Sequence, residues 1–265
     1  MFLILSISFG YFSGLLRNNY FKWNLAIASE KKLSKDIIDN AINLQEYFGK
    51  SLNSDNWVIM RNIQNLTTGE NVTVEMLNED KSNPALFRSS VIINSPPSEV
   101  AKYFAPLSKN AQDKKVKTWG DYSSILNLAR IESYEIVPIN GPIPNFDTKG
   151  DSFGVLIKQI ASPASDLLGH FISKRYFTQG LAYTDQKSDI LAKEFTVSND
   201  KSFDIPKGTK TLISYTINSE NPDIWGDLGD AKRGYKDTVY WFIPIGKSST
   251  RLVAISRQDL GILRY

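Results

Sequence analysis

The sequence contains no cysteine, which removes disulfides, thiolate nucleophiles and cysteine-ligated zinc from consideration. It has one histidine, His170, so a metal centre needing two imidazoles is excluded and a Ser-His-Asp arrangement has a single residue to form around. Charge of neither sign predominates. Lys and Arg number 31 against 28 Asp and Glu, leaving +3, and no block of like charge is long enough to mark a nucleic-acid surface. No glycine-rich phosphate loop follows a strand, so nucleotide binding has no motif to rest on. The uncharged, mostly apolar run Phe2 to Leu16 falls short of the ~20 residues that span a bilayer. Asp223, Asp227 and Asp230 lack calcium-loop spacing and read as an acidic surface loop. His170, close to Asp166, reads as a locally held histidine rather than a general base. No catalytic residue, metal ligand or cofactor is expected.

The 265 residues are 42% hydrophobic and 22% charged, an ordinary globular balance, with 14 Phe, 12 Tyr and 5 Trp. That aromatic content suits a thick core and an apolar ligand cavity equally. Residues 1–28 are expected to stand apart from a single domain at 29–265. Phe2 to Leu16 has the apolar character of a signal peptide, and Ala26-Ile27-Ala28 offers small residues for cleavage. No Lys or Arg precedes the run, so a signal or anchor and an ordinary terminus remain alternatives. The expected location is cytoplasmic or membrane-associated, or the secretory pathway if the segment acts as a signal. Asn65-Leu66-Thr67 and Asn71-Val72-Thr73 are glycosylation acceptors in that last case only.

From Ser29 onward Leu33, Ile37, Ala41, Leu44 and Phe48 fall on one stripe, with Ile38 beside it, predicting a helix of about five turns that stops near Gly49. Strands are predicted at Trp57 to Met60, Val72 to Leu77 and Leu86 to Ile93. Asn94 or Ser95 can cap a following helix, Pro96 suits its first turn, and Val100, Ala101, Phe104 and Leu107 form its apolar face. Lys109, Lys114, Lys115 and Lys117 form a basic turn, and Pro138 to Lys149 is a loop. Ser124 to Val137 holds one or two strands, and Phe153 to Ile160 is a short strand or helix. Five further strands are predicted at Phe171 to Tyr183, Ile190 to Val197, Lys210 to Ile217, Thr238 to Ile245 and Arg251 to Gln258. Their short links make an antiparallel meander, and the whole reads as α+β. Arg130, Arg175 and Glu194 interrupt apolar runs. They either face a cavity, with Arg175 and Glu194 paired across a hairpin, or project to solvent from a half-exposed sheet.

Four short stretches, in this order and spacing, resemble the START lipid-transfer domains of the helix-grip superfamily, which includes the Bet v 1-like proteins. They are Ile92-Ile93-Asn94-Ser95-Pro96-Pro97-Ser98-Glu99-Val100; Ser165-Asp166-Leu167 leading to Phe171 through Arg175; Arg233-Gly234-Tyr235 followed by Trp241-Phe242-Ile243-Pro244; and Ser256-Arg257-Gln258-Asp259-Leu260-Gly261. The resemblance covers roughly Ser29 to Gly261. Departures are Gln112-Asp113 where the family has Trp-Asp, a long segment at Asp200 to Asp230, and an expected lack of the closing C-terminal helix. The resemblance implies a curved antiparallel sheet packed against helices around a hydrophobic cavity. It implies non-enzymatic binding or intermembrane transfer of a phospholipid or sterol, with a lipid ligand and a transient membrane contact as partners. The polar contacts it implies are Arg130, Arg175 and Glu194, and the cavity wall Trp119, Phe177, Tyr183, Tyr215 and Trp241. A hydrolase or cyclase acting in the same cavity, and a solidly packed interaction module, are the alternatives.

Overall fold

A computed structural model describes residues 33, 35–64, 71–77, 85–104, 129–137, 153–163, 174–187, 204–217 and 229–259. The apolar run at 2–16, the Asn65 triplet, the basic turn, Trp119, the 138–149 loop, His170, the strand expected at Ile190 to Val197 and the acidic loop through Asp227 lie outside them. The first helix, α1, is described over 35–52, and its expected stripe is its buried side: Ile37, Ala41 and Phe48 are core residues, with Leu33 and Leu44 packed beside them. It runs past Gly49. A mid-helix glycine costs ~1 kcal/mol, whereas burying a leucine returns about 1.5–3, and Leu52 is in the core. Its last carbonyls are also met: Trp57 Nε1 donates to Ser51 O at 3.0 Å and Arg88 Nη1 to Leu52 O at 3.1 Å.

The strands are β1 (Val58–Gln64), β2 (Asn71–Leu77), β3 (Leu86–Ile93), β4 (Ala129–Val137), β5 (Phe153–Pro163), β6 (Arg175–Asp185), β7 (Lys210–Thr216), β8 (Lys232–Arg233), β9 (Tyr235–Ile245) and β10 (Ser249–Asp259), with helix α2 (Pro97–Phe104) after β3. They form one sheet in the order β1-β2-β3-β10-β9-β7-β6-β5-β4, antiparallel throughout except that the two-residue β8 lies parallel to β6. The meander is therefore present, and β3 joins it at β10. Phe153 to Ile160, left open between strand and helix, is a strand because it is hydrogen-bonded to β4 and β6 on both sides.

Side chains alternate across the sheet with period two, and each side has its own core. Val239, Trp241 and Ile243 of β9, with Val253 and Ile255 of β10, face α1. Phe242 and Leu252, one residue out of phase, join Leu181, Tyr183 and Leu212 in packing on Val100 and Ala101 of α2. Asn94 and Ser95, expected as caps for α2, tie the turn to β10 instead. Ser249 Oγ donates to Asn94 Oδ1 at 3.3 Å and Thr250 Oγ1 to Ser95 O at 2.7 Å. The first helical bonds run to the Pro96 carbonyl from the amides of Glu99 (3.0 Å) and Val100 (3.1 Å), leaving Pro97 at the first helical position. The fold is α+β, a large antiparallel sheet holding helices against it in the helix-grip manner.

Candidate functional site

The α1 side of β2, β3, β9 and β10 is buried, whereas their α2 side is largely half-buried beyond the reach of α2. Register explains why a hollow forms there. Tyr240, Ala254, Ser89 and Val74 lie in one row across β9, β10, β3 and β2, and Thr238, Ser256 and Phe87 in the next. The middle of both rows is built from short side chains, Ser89, Ala254 and Ser256, between longer ones. The result is a cleft of about 290 Å³, at the small end of the roughly 300–1,000 Å³ range of ligand pockets.

Lys236 borders this cleft, two residues before Thr238 on the same strand. Its position follows from a gap in the ladder. Pairing of β7 with β9 ends at Ser214 and Thr238, and side chains take over beyond it. The Lys236 amide donates to Thr216 Oγ1 at 2.7 Å, and the Lys236 carbonyl accepts from Thr216 Oγ1 and Gln179 Nε2, each at 3.1 Å. The Thr216 amide donates to Asp237 Oδ1 at 3.0 Å. Both backbone groups of Lys236 are thereby fixed, and its side chain is set on the cleft side. Burial lowers the Lys236 pKa and pushes Tyr240 up to about 12. Thr238 is 2% exposed, and its hydroxyl has no hydrogen-bond partner.

The opposite face carries one buried ion pair and one that is half-buried. Arg88 Nε and Nη2 hold the Glu75 carboxylate at 2.7 and 3.0 Å, with Trp57 stacked 4.5 Å from the guanidinium. Arg257 meets Asp237 at 2.8 Å and lies over the rings of Tyr235, Tyr47 and Phe48. Tyr235 donates its hydroxyl to Asp237. Both clusters sit beside α1 and fasten it to the sheet.

Among the described side chains singled out in the sequence, Arg175, Phe177, Tyr183, Tyr215 and Trp241, none borders the cleft. Trp119 and Glu194 lie outside the described residues, so the Arg175–Glu194 pairing does too. Arg130 is on β4, opposite Ser162 at the far end of the sheet from β1. Arg175, Phe177 and Tyr183 share the α2 side of β6. Arg175 Nη1 donates to the Arg233 carbonyl at 3.1 Å, and its Nε is buried without a partner. Phe177 fills the space over Gly234, where an added Cβ would stand 2.3 Å from its ring, and Tyr183 packs on α2. Tyr215 and Trp241 face α1. Trp241 is fully buried and donates to Gln186 Oε1 at 2.9 Å. The signal that sequence reasoning passed over was the alternation Lys236, Thr238, Tyr240 set against the short residues Ser89, Ala254 and Ser256.

The tyrosines give a pH expectation. Burial pushes Tyr183, Tyr215 and Tyr240 up to about 12, so the folded protein keeps protons that the unfolded chain loses near 10. Stability should therefore fall as pH rises from 10 toward 12. Urea midpoints across that interval check it, and a flat profile would contradict the burial.

No family model and no curated protein matches the sequence. Among solved structures, the chain is similar to the human StarD13 (DLC2) lipid transfer and protein localization domain at 17% identity and a TM-score of 0.46, over 82% of this chain and 80% of that one. It is similar to human StAR-related lipid transfer protein 5 at 13% identity and TM-score 0.43, over 84% of this chain and 85% of that one. With human STARD10 the values are 10% and 0.46, over 81% of this chain and 65% of that one. Lipid transfer domains of this StAR-related kind are among the solved structures that this chain is similar to.

Proposed function

We propose that residues 29–265 form a binding domain for a lipid, taken up without chemical change and exchanged through transient contact with a membrane surface. The observation that carries this reading is the cleft of about 290 Å³ on the half-buried side of the sheet. Val74, Phe87 and Tyr240 offer it apolar surface, and each Å² of lipid carbon buried there contributes ~25 cal/mol. Lys236 and Thr238 supply a polar end. Lipid binding is also what the START resemblance of the sequence implies, with a phospholipid or sterol as ligand.

The test is native mass spectrometry and solvent extraction of the purified chain, followed by uptake of fluorescent fatty acid, phospholipid and sterol from vesicles. Co-purifying or transferred lipid is expected. Ala254→Leu, which adds bulk to the cleft floor opposite Tyr240, should cut uptake by tenfold or more while leaving the far-ultraviolet circular dichroism unchanged. Absence of lipid and of uptake by the unaltered chain would overturn the proposal.

A further inference from the structure

The proposed lipid site has a chemistry of its own, and this inference rests on that reading. The cleft is amphipathic along the strand direction. One end holds Val74, Ser89, Ala254 and the ring of Tyr240, while the other holds Thr238 and Ser256 in register with Phe87, and Lys236 comes next on the same face as the single cation of the lining side chains on that face. Same-face neighbours on a strand are about 7 Å apart, within the reach of a lysine side chain. Thr238 Oγ1 is buried in the cleft wall with no hydrogen-bond partner, and a buried hydroxyl left in that state is costly. Asp237, the adjacent acid in the chain, is taken up on the other face by Arg257, Tyr235 and the Thr216 amide. We infer that the cleft selects an amphiphile with an acidic head, whose carboxylate or phosphate oxygens accept from Lys236 Nζ and Thr238 Oγ1 while its apolar chain runs toward Val74 and Tyr240. Lys236 is half-buried and burial lowers its pKa, and an anion arriving beside it would favour its charged form. The small volume fits one chain better than two.

The experiment compares delipidated protein with oleate, oleoyl lysophosphatidic acid, oleyl alcohol, cholesterol and inorganic phosphate, by calorimetry or displacement of a fluorescent fatty acid. Oleate and the lysophospholipid are expected to bind at least tenfold more tightly than the alcohol with the same chain. Lys236→Met should remove that preference by weakening oleate about tenfold while leaving oleyl alcohol within twofold. Thr238→Val should weaken oleate several-fold and leave the alcohol unchanged. If Lys236→Met does not fold, Lys236→Gln and Thr238→Val carry the comparison. Equal affinity for oleate and oleyl alcohol, or a preference for cholesterol, would overturn the inference and leave lipid binding intact. Inorganic phosphate binding as tightly as the lysophospholipid would overturn the amphiphile and assign the cleft to a free anion. Binding of none of the lipids would overturn the proposed function itself.

Discussion

Arg88→Met is expected to lower folding stability by about 3–5 kcal/mol, because it leaves the Glu75 carboxylate buried without its partner. Both side chains are 5% exposed, so solvent screening offers little relief. The guanidinium joins three structures at once: it holds Glu75 of β2 in two bonds, meets the final carbonyl of α1 at Leu52, and stacks on Trp57. Glu75→Gln, which keeps the shape but removes the charge, should cost less than Arg88→Met. The double substitution Arg88→Met/Glu75→Leu should recover most of the loss, since an apolar pair of similar volume avoids desolvating either charge. Urea denaturation midpoints read all three. A loss under about 1 kcal/mol for Arg88→Met would mean that the pair behaves like an exposed one.

Trp241→Ala should cost a comparable 3–5 kcal/mol. Trp241 is among the largest fully buried side chains and stands in the core between β9 and α1, with Val239, Val253 and Phe48 in the same cluster. Removing it leaves a cavity that neighbours on a hydrogen-bonded sheet cannot collapse to fill. Trp241→Phe separates the contributions: it keeps most of the packing and removes the 2.9 Å bond from Nε1 to Gln186 Oε1, a loss of about 0.5–1.5 kcal/mol. Lipid uptake gives an independent reading. Trp241 faces away from the cleft, so Trp241→Phe should bind ligand as the unaltered chain does. A large loss of affinity at unchanged stability would place this residue in the binding wall after all.

The stretch from Ser89 to Leu107 shows what could be read without coordinates. Val91-Ile92-Ile93 is β-branched and apolar, and strands favour such residues whatever lies beside them. The prolines that follow stop a strand and start a helix for local steric reasons. The α1 stripe was equally plain, because six apolar residues at helical spacing need no partner to be recognised. Its end was misread at Gly49. The sequence carries the propensity of that glycine, whereas Arg88, which meets the Leu52 carbonyl at the end of the helix, arrives from β3.

The ion pairs were legible only in part. Arg175 interrupts an apolar run, yet among the described residues it is the buried Arg88 and the half-buried Arg257 that hold carboxylates. Glu75 faces Arg88, and Asp237 faces Arg257, through strand register. Register depends on where each turn begins, and a slip of one residue would send either side chain to the other face of the sheet.

Periodicity and turn chemistry within short stretches are enough for the fold class, most of the described strands and the two described helices. The sequence also excluded the chemistries that need cysteine or paired histidines. Where the empty space lies depends on long-range strand pairing. The cleft is a deficit of side-chain volume at Ser89, Ala254 and Ser256, and no one of these marks a site alone. They coincide because β3 pairs with β10, which brings residues more than 160 positions apart into one row, and because the opening between β7 and β9 sets Lys236 beside them. A local pattern can state which face a residue takes, but a cavity belongs to the neighbours that the fold assembles around it.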